Sequence, residues 1–250
     1  MRYNGENKVV IISGSSKGIG KGLAIQYLEN NFKVMINSRN YDELKTTYLK
    51  LKKKFKNEIL MVSGDISNKN TLKEIRKIIL KKWKKIDILI ANAGDVSKKN
   101  EKSTWYIDKN YLVTKKFIDF FYKDLIKTSG NIILISSIVS LTNTPAPKGF
   151  TKSKKLINKY GRSLSLKLAK FNVNVNVIAP GNIYFRDGNW DNKMRKNPKE
   201  TKKYINNQVP MQKFGTIRDI SNLCLFLTSK FSSFITGQTI AVDGGQAIKK

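Results

Sequence analysis

Three closely set glycines, Gly14, Gly18 and Gly20, are the residues of this chain whose spacing most directly implies chemistry. They lie in the run Ser13-Gly14-Ser15-Ser16-Lys17-Gly18-Ile19-Gly20, with three residues between the first pair and one between the second. Glycine tolerates positive φ and lets another backbone or a phosphate come close. A helix starting in such a turn presents unpaired N–H groups and the positive end of its dipole to an anion. The implied chemistry is the holding of a pyrophosphate, provided that a strand leads in and a helix leads out. Both conditions are met. Val9-Val10-Ile11-Ile12 is a β-branched run without polar alternation, as in a strand buried on both faces. Leu23, Ile25, Tyr27 and Leu28 then open a helical stretch that ends near Asn30-Asn31.

The elements that must position this turn repeat the same alternation along the chain. Strands are predicted at 34–36, 59–62, 86–90, 132–135, 173–178 and 239–242, separated by helices at about 44–55, 72–80, 104–126, 150–171 and 217–227. With the first strand this makes seven, joined by right-handed crossovers. The fold predicted is Rossmann-like α/β: a doubly wound, three-layer α/β/α arrangement around a seven-stranded parallel sheet. One domain spanning 1–250 is expected at this length. The segment 182–208 reads as polar and irregular; it follows the C-terminal edge of the sixth strand, where open α/β sheets place their ligands, and is expected to be a substrate lid.

Composition excludes several function classes. There is no histidine, which removes the commonest metal ligand and general base together and argues against a zinc hydrolase or a Ser-His-Asp enzyme. No metal is expected. The one cysteine, Cys224, sits in the apolar run Leu223-Cys224-Leu225-Phe226-Leu227 and reads as a buried helix residue. The formal charge of +30 would attract nucleic acid or anionic lipid if it were concentrated. The lysines are instead scattered through every helix with no nucleic-acid-binding motif around them, so no nucleic-acid partner is expected. Abundant lysine, asparagine and isoleucine together are what an AT-rich genome produces. No apolar run long enough to span a membrane and no leader pattern is present, which points to a cytoplasmic protein without a membrane partner.

The glycine spacing, taken with Ala91-Asn92-Ala93-Gly94 after the fourth strand, resembles the short-chain dehydrogenase/reductase family over essentially the whole chain. The resemblance implies a nicotinamide dinucleotide, its pyrophosphate held by the turn that carries Gly14, Ser16, Lys17, Gly18, Ile19 and Gly20. Asn92, Ala93 and Gly94 would brace the central sheet near the adenine ribose. Asp65 and Ile66, in Gly64-Asp65-Ile66, would lie beside the adenine ring, and Pro180, Gly181 and Ile183 would meet the nicotinamide amide. Thr236-Gly237 and Asp243-Gly244-Gly245 look like the family's closing strand and its approach, although plain turn chemistry accounts for these glycines equally well. An acidic residue at the end of the second strand would bind the ribose diol and repel a 2'-phosphate. Ser38 and Arg39 stand there, and Lys17 adds a second cation, so NADP(H) is expected over NAD(H).

In the family the reaction rests on asparagine, serine, tyrosine and lysine, the last two on one helix face four residues apart. Asn110, Ser137 and Lys154 match. At the tyrosine position, four before Lys154 and thirteen after Ser137, stands Phe150. The tyrosine hydroxyl is the acid that protonates the carbonyl oxygen as hydride arrives, and phenylalanine has no proton to give. Losing a general acid costs about 10²- to 10⁴-fold in rate, which leaves room for turnover through Ser137 or a water held by Lys154. Three readings stay open: an engineered replacement, a natural change with the acid supplied elsewhere, for instance by Tyr184 or Tyr204, or a dinucleotide-binding protein without turnover. Lys154 keeps a role in each, since the family's lysine also bonds the nicotinamide ribose.

The activity implied is the interconversion of a secondary alcohol and a ketone. Tyr184, Phe185 and Trp190 make the lid aromatic while Arg186, Lys193 and Arg195 make it basic, a mixture suited to an anionic or ring-bearing substrate such as a sugar derivative, or simply to packing the lid down. Phe185 replaces the threonine that many resembling proteins use to bond the nicotinamide amide. Trp105, Leu112, Phe117, Phe120 and Phe121 offer more apolar surface than one sheet face needs, from which a homodimer or homotetramer is expected.

Overall fold

A computed structural model describes residues 3–95 and 102–249. Seven strands form one sheet: β1 (Val9–Ser13), β2 (Lys33–Ser38), β3 (Ile59–Ser63), β4 (Ile88–Ala91), β5 (Asn131–Ile135), β6 (Asn174–Pro180) and, last in the chain, β9 (Thr239–Val242). Their spatial order is β3-β2-β1-β4-β5-β6-β9, and every pairing is parallel. The chain winds outward from β1 to β3, then returns to place β4 on the other side of β1. The crevice between the C-terminal ends of β1 and β4 is therefore the switch point where such sheets bind ligands.

Both faces of the sheet are covered, which explains why its strands carry uninterrupted apolar runs. Val9 and Ile11 pack with Leu72 and Ile75 of α3 (Lys69–Trp83), Phe117 and Phe121 of α5 (Val113–Ile126), and Ile157 and Leu164 of α6 (Lys148–Leu168). Val10 and Ile12, one residue out of phase, pack with Leu23 and Tyr27 of α1 (Gly18–Glu29), Leu44 of α2 (Tyr41–Phe55), and Ile220 and Cys224 of α9 (Ile217–Leu227). The three-layer, doubly wound architecture read from the sequence is the one observed. Phe117 and Phe121 are fully buried within this core, so their surface serves the chain itself and does not argue for a second subunit. Among the described residues no helix is long and apolar enough to cross a membrane.

Two elements differ from the sequence reading. The helix before β5 begins as α4 (Ser103–Tyr106), widens into a π-helical segment at Ile107–Leu112, and continues as α5. The segment 182–208 is not irregular: it holds β7 (Ile183–Tyr184), α7 (Asn189–Lys196) and α8 (Pro198–Gln208). Proline at the first position of α8 is preorganised for a helix start, and the few apolar residues hid the helical period. A short strand, β8 (Gly215–Thr216), pairs with β7 and fixes where this excursion returns to the body.

Candidate functional site

The glycine-rich turn is built by close backbone packing. Gly14 has φ +64°, and a Cβ there would lie 2.9 Å from Ala93 Cα; a Cβ on Gly20 would lie 2.3 Å from the Gly14 carbonyl oxygen. Asn92 Nδ2 donates to the carbonyls of Ser13 at 3.0 Å and Gly14 at 2.9 Å. Ser13 Oγ in turn accepts from the N–H groups of Asn92 at 3.1 Å and Ala93 at 3.0 Å. The two motifs are thus clamped together across β1 and β4. α1 starts in this turn with no side-chain cap and no acidic residue in its first turn, leaving the positive end of its dipole for an outside anion.

A cleft of about 320 Å³ opens from this turn and is lined by Gly14, Ser16, Lys17, Ser38, Arg39, Asp65, Ile66, Asn92, Ala93 and Gly94, all expected from the sequence. Seven other residues expected at the cofactor do not line it, among them Lys154, which lies deeper. Gly20 packs beneath the turn, and Gly18 and Ile19 lead into α1 with the Phe185 ring over Gly18, 3.1 Å from where its Cβ would be. Pro180 ends β6, Gly181 packs on Asp243, and Ile183 is buried in the core. Asp243 caps the closing turn by accepting from the N–H groups of Gly245 and Ala247, which gives Gly244 and Gly245 a place in that turn.

Sequence reasoning missed Asn37, Glu43 and Lys109, which also line the cleft. Asn37 Nδ2 ties β2 to β3 through the carbonyls of Val62 and Gly64. Glu43 lies in the first turn of α2, its N–H accepted by the capping Asn40 Oδ1 at 3.0 Å. Its carboxylate takes Lys17 Nζ at 3.0 Å and Ser16 Oγ at 3.2 Å. The Asn-x-x-Glu spacing of a helix start was the available signal. Arg39 pairs with Asp95 at 3.4 Å. Burial pushes the Asp65 carboxyl up, but two hydrogen bonds from Ser67 and the cations of Arg39 and Lys109 outweigh it and hold the pKa below its ordinary value.

Deeper in, the π-helical segment turns Asn110 inward, fully buried; Oδ1 accepts from Asp95 N at 3.1 Å, and Nδ2 donates to the carbonyls of Asp95 and Tyr106. Gly94 lets this happen: a Cβ there would lie 2.6 Å from Asn110 Oδ1 and 3.5 Å from Lys154 Nζ. Lys154 Nζ is buried, donates to the Ile135 carbonyl at 3.2 Å, and is lowered by that burial to a pKa of about 8. It lies 5.5 Å from the centre of the Phe150 ring, which also meets the Tyr106 ring edge-on. Ser137 follows β5 just beyond the carbonyl that Lys154 holds, and its hydroxyl bonds no described residue. Tyr160 and Tyr184 direct their hydroxyls to carboxylates elsewhere, Asp119 and Asp191. The hydrogen bond to Asp191 raises the Tyr184 pKa. Tyr204 stacks on Trp190, which also meets Phe214 and carries Lys193 over its face. The lid aromatics pack largely on one another.

A family model described as enoyl-(acyl carrier protein) reductase matches residues 14–247. The chain belongs to the short-chain dehydrogenase/reductase family. It is 31% identical over 246 residues to a 3-oxoacyl-(acyl-carrier-protein) reductase of Buchnera aphidicola subsp. Baizongia pistaciae, covering 95% of this chain and 96% of that one. It is 29% identical to glucose 1-dehydrogenase of Gluconobacter oxydans, covering 95% and 91%. The crystal structure of L-sorbose reductase from Gluconobacter frateurii, complexed with NADPH and L-sorbose, shares the fold with a TM-score of 0.89 over 100% of both chains at 23% identity.

Proposed function

We propose that this chain is an oxidoreductase that binds NADP(H), in preference to NAD(H), and interconverts a secondary alcohol and a ketone. The observation that carries the reading is the coincidence at one switch point of an uncapped α1, a glycine turn clamped by Asn92, and the buried Asn110 and Lys154 meeting over Gly94. The residues fit a dinucleotide. The uncapped first turn would receive the pyrophosphate, Asp65 and Ile66 border the adenine end, and Lys17 and Arg39 lie where a 2'-phosphate would add charge. When bound, the nicotinamide supplies or accepts hydride at C4. Ser137, whose hydroxyl has no described partner, orients the carbonyl, and Lys154 holds the nicotinamide ribose. The segment 182–208 serves as the substrate lid of one functional unit spanning 1–250.

Phe150 leaves the proton step to Lys154. With a pKa of about 8, its ammonium gives up a proton far more readily than an ordinary lysine, and a water beside the Phe150 ring would carry that proton to the carbonyl oxygen. One relative named for glucose and a structural neighbour bound to L-sorbose support a sugar-like substrate, and the basic lid supports an anionic one. Cytoplasmic location and assembly as a homodimer or homotetramer belong to the same proposal. Phe150 itself favours a second reading, an NADP(H)-binding protein of low or no turnover. Restoring the hydroxyl with Phe150→Tyr and screening sugars, keto acids and 3-oxoacyl thioesters with NADPH decides between them. Gain of about 10²-fold or more in one substrate supports the enzyme; no turnover by either form across the panel supports the binding protein.

A further inference from the structure

Four polar groups meet where β2 ends: the hydroxyls of Ser16 and Ser38, 3.0 Å apart, the Lys17 ammonium and the Glu43 carboxylate. One Glu43 oxygen accepts from Lys17 and the other from Ser16. Gathering an ammonium and a hydroxyl through two oxygens is how a phosphate monoester would use the same groups. The carboxylate is held in place by the fold. Asn40 fixes the first turn of α2, and Thr47, one turn on, donates to the Ser16 carbonyl at 2.7 Å, locking helix and glycine turn together.

The two cations that would attract a 2'-phosphate therefore each face a carboxylate already, Lys17 with Glu43 and Arg39 with Asp95. Their side chains are 74% and 58% exposed, so both pairs are weak and an arriving anion recruits the cations at little cost. Neutralising Glu43 is another matter. A phosphate beside Ser16 and Ser38 stands next to a carboxylate in the same cleft, whereas a ribose hydroxyl there finds an acceptor.

We propose that Glu43 is the specificity-determining residue of the cleft, an internal anion that occupies the place of the 2'-phosphate and keeps the discrimination between NADP(H) and NAD(H) small. The proposal rests on the dinucleotide reading above. With Glu43 present, the phosphate gains two cations and meets their two carboxylates; without it, Lys17 and both hydroxyls serve the phosphate alone, and Asp95 alone is left to compete for Arg39.

The test is a set of dissociation constants at fixed low ionic strength for NADPH, NADH, adenosine 2',5'-bisphosphate and 5'-AMP, with the wild type, E43Q, E43A and K17M/E43Q. E43Q and E43A are expected to bind NADPH and the bisphosphate about tenfold more tightly, from removal of one charge at a few ångströms in a wet cleft, while NADH and 5'-AMP move by less than about threefold. K17M/E43Q should lose most of that gain, because the ammonium released by the first change is absent. If the NADPH and NADH constants move together by one factor, Glu43 merely braces α2 and the assignment is wrong. Tighter binding of neither phosphate ligand overturns it too. Failure of every form to bind either dinucleotide overturns the underlying cofactor reading, a result distinct from retained binding with an unchanged NADPH-to-NADH ratio, which removes Glu43 alone.

Discussion

Replacing Lys154 by methionine should make the protein more stable at neutral pH, and less so as the pH rises. The buried Lys154 ammonium has one hydrogen bond, to the Ile135 carbonyl, and no carboxylate partner among the described residues. Burial lowers its pKa from 10.5 to about 8, a fall of about 2.5 units, which at about 1.4 kcal/mol per unit is about 3 kcal/mol. Because the folded value lies below the unfolded one, the folded state binds fewer protons between the two and stability rises with pH across that window. The favourable contribution of neutral Lys154 is complete above about pH 10.5 and is lost as the pH falls through about 8. Methionine keeps the apolar stem and does not titrate. Urea unfolding of wild type and K154M, at matched protein concentration from pH 7 to pH 10.5, should show the variant ahead by about 3 kcal/mol at pH 7 and the gap closing toward pH 10.5. A gap independent of pH, or a wild type more stable at pH 7, would refute the reasoning and mean that the ammonium is compensated where it sits.

Three further outcomes follow from the geometry. Gly20→Ala puts a methyl 2.3 Å from the Gly14 carbonyl oxygen, so overpacking of about 1–3 kcal/mol should lower Tm by about 2–10 °C and weaken dinucleotide binding at least tenfold, read by thermal unfolding and by titration. Arg76→Ala strips the two hydrogen bonds, at 2.8 and 2.9 Å, from the buried Asp124; with the arginine side chain 40% exposed, the loss should be about 1–3 kcal/mol in denaturant unfolding, and salt should not restore it. Tyr184→Phe should leave any turnover of the native chain within about twofold, since its hydroxyl is engaged by Asp191; a loss of about 10²-fold in kcat would make it the displaced acid.

The strands and the glycine turn were legible because their signals are local. A run such as Val9 to Ile12, short, β-branched and bounded by turn residues, suits a strand covered on both faces, and three glycines between that strand and a helix suit a pyrophosphate turn. The candidate reaction-centre positions, Phe150 included, came from the family resemblance, with the spacing of Ser137, residue 150 and Lys154 setting the alignment. What escaped depended on three dimensions. Glu43 reaches the cleft because α2 starts two residues after β2, which puts its first turn beside Ser38 and Arg39. The helices α7 and α8 were hidden by a polar composition in which only Asp191, Thr201 and Ile205 are buried. Trp190 was open between a substrate contact and lid packing and Tyr204 between a hydroxyl donor and a packing group, and only the fold brings their rings together, stacked 5.3 Å apart.

The π-helical segment at Ile107–Leu112 sets a phase as well as a shape. An α-helix turns about 100° per residue, and a π turn absorbs one residue more than an α turn without advancing the faces on either side of it. Asn110 faces the Asp95 and Tyr106 backbone behind the cleft while Phe117 and Phe121, downstream, belong to the core, and the extra residue reconciles the two bearings. Deleting a single residue here would leave a regular, well-bonded helix of nearly the same length. It would also swing either Asn110 or the phenylalanines about 100° off their targets. This stretch is therefore the place where the chain tolerates substitution better than a change in length, and where an alignment error of one position would misassign the asparagine.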